Sequence, residues 1–261
     1  MKTLLVKVAA IATGPALLLA WSVGYAWSCW VLAIPLAVTL VLAAGLRERS
    51  MKRRRCVADC WFIKGTLLHR VLCSPWIVTV MALVVSAGLS AVLMVNIPSL
   101  GFSQLTLLAV DAPLVAILYV SFRRAAGGIF GVNATFRGMF ARNWTIAVNV
   151  VLLLPALVLV QLEQPPPDWI DPAMKLEATL RVASGRVGSE CPAIDQVIRL
   201  QREAEALSWW LVITGTSAIE DRNLRWVAWL LFLVSGTLSL WAYSGLCVQL
   251  AHLAQRPRGG R

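Results

Sequence analysis

Four residues able to ligate a soft metal fall in step between positions 56 and 73: Cys56, Cys60, His69 and Cys73. Their spacing makes two i, i+4 pairs, each on one face of a helix, and Cys3His is an ordinary ligand set for structural zinc. Two features pull the other way. Ser74-Pro75-Trp76 opens an apolar run directly after Cys73, which strains a loop site, and Trp61-Phe62-Ile63 gives the thiols apolar company. Free cysteines are common as small buried hydrophobes. Zinc and plain packing both stay open on the sequence, and no other cofactor is expected.

The other residue with chemical promise is Asp111, inside "LTLLAVDAPLVAILY", with Pro113 two positions on. An aspartate at the centre of a membrane helix costs about 2.5–3.5 kcal/mol to insert and usually faces a bundle interior or a watery path. Pro113 removes the donor for the carbonyl of Ala109 and invites a kink. An ion or proton site, a polar lock between helices, and a carboxyl satisfied by a neighbouring Ser, Thr or Asn all fit. Asn96, Asn149 and Thr237 are further polar points, worth about 0.6 kcal/mol each as helix-to-helix hydrogen bonds. His252 has no companion ligands in its segment. Two histidines and no nucleophile motif argue against hydrolase chemistry, and neither a Walker loop nor a GxGxxG fingerprint occurs.

The elements that must hold these residues are legible from hydropathy. The chain has 261 residues, 59% hydrophobic and only 14% charged, where a soluble domain carries about 25% charged residues. Six apolar runs, about 4–23, 28–46, 71–96, 104–122, 145–162 and 226–248, are each long enough to cross a hydrocarbon core that needs ~20 helical residues. The reading is an all-α polytopic integral membrane helix bundle of about six transmembrane helices with a small helical extracytoplasmic insertion. Residues 1–162 form the membrane domain with loops at 47–70 and 123–144. Residues 163–225 form the insertion, and 226–261 the last span and a basic tail. No small-x-small cleavage pattern follows the first run, so that helix is expected to stay.

Charge orients the bundle. With six spans, 17 of the 24 Lys and Arg residues fall on one side, and the other side holds 10 of the 13 acidic residues, all within 163–225. The positive-inside rule places both termini in the cytoplasm, in a membrane of bacterial inner (plasma) type. The net charge of +11 is thus a topology signal first and an anionic-lipid signal second; no nucleic acid is expected. Cys191 is alone in the insertion, and Cys29 is its one conceivable disulfide partner.

Docking to lipid headgroups or a partner is expected of Arg47, Arg49, Lys52, Arg53, Arg54 and Arg55, and of Arg137 and Arg142 in the second loop. That loop, 123–144, mixes Phe130, Phe136, Phe140 and Trp144 with arginines and reads as an interfacial amphipathic helix. Its Gly-rich part, 125–138, alternatively forms a re-entrant element or a close helix contact. In the insertion, Leu176, Leu180 and Ala183 make one apolar face, and Val197, Leu200, Ala204, Leu207 and Leu211 another. Trp209 and Trp210 read as interface anchors. The function expected is a non-catalytic integral subunit or scaffold of a multi-protein envelope assembly of secretion, conjugation, sensing or defence type. Its partners would be membrane lipid, other membrane or envelope proteins, or further copies of itself. The alternative is a small channel or transporter using Asp111 and 125–138, with a membrane-bound enzyme third.

Overall fold

The computed structural model describes residues 2–61, 63, 66–162, 176–185, 189–214 and 222–254. Among these, every regular element is helical. α1 (Lys2–Gly24) leads through a 3-10 turn (Cys29–Leu32) into α2 (Ala33–Trp61). A short α3 (Leu67–Leu72) precedes α4 (Pro75–Asn96), a second 3-10 turn (Ile97–Ser99) and α5 (Phe102–Gly128). α6 (Ala134–Leu162), α7 (Leu176–Gly185), α8 (Pro192–Thr214) and α9 (Arg222–Leu253) complete the chain. Among the described residues, four helical stretches are long and apolar enough to cross a membrane: Cys29–Trp61, Pro75–Ser99, Phe102–Gly128 and Ala134–Val160.

Local sequence explains the boundaries. Ser28 accepts from the amide of Trp30 and starts the first 3-10 turn. Thr66 caps α3 by accepting from the amide of His69, and Pro75 opens α4 at the first helical position, where its missing N–H costs nothing. α2 has 29 residues, about 44 Å at 1.5 Å per residue. That exceeds a hydrocarbon core of ~30 Å, so its polar end, from Arg47 onward, must project beyond any apolar slab.

The Gly-rich 125–138 segment forms no helix of its own. α5 runs on to Gly128 and α6 starts at Ala134, so only a tight turn separates them. Gly131 takes φ +58°, a conformation that costs glycine nothing. Asn133 then accepts from the amide of Thr135, and its carbonyl accepts from Phe136 and Arg137. The physical reason is that these few residues satisfy both helix ends locally, so the flanking apolar helices simply extend.

α2 packs on α4, α5 on α6, and α6 on α9; α1 lies against α5 and α9. The core is one cluster joining Ile11, Leu18, Trp21, Leu42, Leu93, Val115, Ile146 and Leu246. Contacts Asn149–Ser244 and Arg142–Gln249 show α6 and α9 antiparallel. One end of the bundle gathers Glu48, Arg142 and His252; the other gathers Tyr25, Asn96 and Cys191.

The α7–α8 hairpin is fastened to that second end. Cys29 and Cys191 form a disulfide with Cα atoms 5.1 Å apart. Ser189 donates to the carbonyl of Tyr25 at 2.8 Å, and Gln201 donates to Oδ1 of Asn96 at 3.0 Å. α8 turns Ile194, Ile198 and Ala206 inward and leaves Val197, Leu200, Ala204 and Leu207 exposed. The stripe of Val197, Leu200, Ala204 and Leu207 is therefore its exposed face. The reason is competition: Ile194 and Ile198 form a second stripe about a third of a turn away, and the disulfide at Cys191 selects it. In α7 the residues buried are Thr179 and Ala183. Asp171 and Pro172, whose types suit a helix cap and first turn, lie outside the described residues.

Candidate functional site

Two layers of polar side chains cross the bundle interior. The first lies at the basic end, where the polar part of α2 meets α5, α6 and α9. Glu48 is its hub. It takes an ion pair from Lys52 one turn on, with Nζ 3.0 Å from Oε1, and another from Arg142, with Nη2 at 3.4 Å. His252 brings Nε2 to 3.3 Å from Oε2 of Glu48, and its Nδ1 lies 3.2 Å from the hydroxyl of Tyr119. One neutral tautomer satisfies both contacts: the tyrosine donates to Nδ1 while Nε2–H donates to the carboxylate.

Arg142 is almost wholly buried, with 1% of its surface exposed. Its Nη1 donates to Oε1 of Gln249 at 3.1 Å and its Nε to the carbonyl of Gly138 at 3.2 Å. Gly45 makes room for this arrangement, because a Cβ there would stand 2.5 Å from Oε1 of Gln249. The docking role expected of Arg142 is thus corrected: its charge is spent inside the bundle. An arginine survives burial when its fork is paired with a carboxylate and further acceptors, which Glu48, Gln249 and Gly138 supply. Arg49, half-buried, donates to Oδ1 of Asn143 at 3.1 Å. Arg47, Arg53, Arg55 and Arg137 are exposed, while Lys52 and Arg54 are half-buried.

The second layer lies deeper. Asp111, 4% exposed, accepts from Nδ2 of Asn149 at 3.0 Å, and the same amide nitrogen donates to Oγ of Ser244 at 3.0 Å. Tyr243 beside them donates to the carbonyl of Leu108 at 2.6 Å, within the α5 segment that Pro113 interrupts. Three helices are thereby tied at one level by neutral donors and a single carboxyl.

The metal candidates do not converge. Cys56 and Cys60 are exposed on the far end of α2, Cys73 is half-buried after α3, and His69 places Nε2 at 3.3 Å from Oδ1 of Asp59. Among the described residues, no three His, Cys, Asp or Glu side chains come together to hold a metal ion. Trp210 is half-buried near the end of α8, and Trp209 belongs to the same turn.

In the α7–α8 hairpin, burial disfavours the charged form of Glu205 and raises its pKa, against the opposing pull of Arg202, whose Nη1 is 2.8 Å away. Sequence reasoning missed Glu48 and Gln249 as partners of Arg142, and His252 as a partner of Glu48. The one available signal was the spacing of Arg142, Thr145 and Asn149, three polar residues on one face of an otherwise apolar helix. No family model matches the chain, and no curated protein or solved structure matches it.

Proposed function

We propose that this protein is a non-catalytic subunit of a multi-protein membrane assembly that presents its disulfide-fastened α7–α8 hairpin to a partner. The observation carrying this reading is the exposure of Val197, Leu200, Ala204 and Leu207. They follow a 3-4-3 spacing, the a/d seam by which one helix packs on another. A contiguous apolar stripe held out by a disulfide and hydrogen bonds from Ser189 and Gln201 suits recognition of a helix on another membrane or envelope protein.

In this reading all six long helices cross the membrane and α7–α8 stands outside. Disulfides persist in oxidising compartments and free thiols in reducing ones. The Cys29–Cys191 bond lies at one end of the bundle and exposed Cys56 and Cys60 at the other. This pattern supports the same orientation as the basic residues: termini and the Arg47–Arg55 stretch in the cytoplasm of an inner-membrane type bilayer. Exposed Arg47, Arg53 and Arg55 then meet anionic headgroups, at about 1 kcal/mol per residue.

The test is affinity purification at native expression in mild detergent, comparing the native chain with Leu200→Glu and Leu207→Glu. A stoichiometric set of other proteins that both variants release, with membrane insertion unchanged, is the expected outcome. Recovery of this chain alone, or retention of the same partners by both variants, overturns the reading.

A further inference from the structure

We propose that Asp111 is a proton-binding site that exchanges with the basic end of the bundle through a polar seam along α6. This goes beyond the docking role and rests on different residues.

The first observation is an uncompensated carboxyl. Among the described residues, no cation faces Asp111 from a helix packed on it. α6 has no ionisable residue between Asn143 and Leu162, and α1 has none between Ala9 and Gly24. α9 presents Tyr243 and Cys247 beside it, while its arginines, Arg222 and Arg225, lie at the far start of that helix. On α5 itself the nearest ionisable group is Tyr119, two turns away. A carboxylate buried in an apolar bundle with only neutral partners, Asn149 and Tyr243, is too costly to keep unless a positive charge joins it. The Asn149 amide nitrogen already fills the space between Asp111 and Ser244, at 3.0 Å from each. A metal ion would have to displace it; a proton would not.

The second observation is independent of charge. Oδ1 of Asn149 and Oγ1 of Thr145 are fully buried on α6, one turn apart, and neither has a hydrogen-bond partner. Orphaned polar atoms of this kind are characteristically met by internal water. They extend the polar surface from Asp111 toward Arg142, Gln249, Glu48 and His252. In the opposite direction the same helices present Leu108, Leu153 and Leu240, all buried. Gln104, the buried polar residue of α5 on that side, uses its Oε1 to accept from the amide of Gly101. On the other side Ser239 of α9 is already bonded to Asn96, which takes Gln201. The unpartnered atoms of α6 lie on the basic side among the described residues, and protons reach Asp111 from the basic end.

Infrared spectroscopy of the full-length chain in detergent tests this. A protonated-carboxyl band is expected at neutral pH, absent from Asp111→Asn. In the native chain the band must shift on carboxyl-13C labelling of aspartate, so the assignment does not depend on the variant folding. On transfer to D2O its deuterium shift should slow by roughly tenfold in Thr145→Val, the cost of removing one buried polar step, and stay unchanged in Leu153→Ala. Absence of an aspartate-derived protonated band at neutral pH overturns the proton site. Equal exchange in Thr145→Val and the native chain overturns the seam.

Discussion

Glu48 shows how one carboxylate decides the fate of several neighbours. It lies one turn beyond the apolar run of α2 and is reached by Lys52, Arg142 and His252. Removing one partner of a buried ion pair strands the other, whereas removing both can be nearly neutral. Glu48→Gln should therefore lower stability by about 2–4 kcal/mol, because Arg142 stays buried without its anion. Arg142→Met combined with Glu48→Gln should recover at least ~1 kcal/mol relative to the sum of the single changes. Thermal unfolding in detergent of all four species closes this cycle. Additive effects would show that the ion pair contributes no coupling.

At the scale of elements, α8 and the 123–144 segment both show one pattern with two solutions. Either stripe of α8 makes an amphipathic helix, and tertiary contacts at Cys191 and Gln201 choose between them. The chosen face brings Glu205 into a half-covered position, where burial raises its pKa against the pull of Arg202. A carboxyl whose folded pKa is raised binds a proton more readily when docked. Its contribution is fully present below the ordinary carboxylate range and lost as pH rises through the raised value. Amide exchange protection of α8 should accordingly fall from acid to neutral pH by more than the intrinsic rate explains. Glu205→Gln should remove that component; an unchanged pH dependence would place its origin elsewhere.

For the whole molecule, the two ends differ in chemistry as well as charge. In intact cells, a membrane-impermeant maleimide should leave Cys56 and Cys60 unlabelled, and permeabilisation should expose both. Mild external reductant should make Cys29 and Cys191 reactive without permeabilisation. Labelling of Cys56 in intact cells would reverse the orientation proposed here.

The long helices were determined by the sequence alone, since runs of apolar residues need no partner to be recognised and the helix satisfies its own backbone. The burial of Asp111 followed from an equally local rule. Which face of α8 points inward was decided only in three dimensions, because two stripes of similar hydrophobicity compete and a disulfide 162 residues long in sequence separation settles them. The same holds for Arg142. Its position in a loop rich in arginine and aromatic residues suggests a headgroup contact, and only the arrival of Glu48 and Gln249 from two distant helices makes burial of its charge affordable. Hydropathy is a property of each residue; the compensation of a charge is a property of the whole arrangement around it.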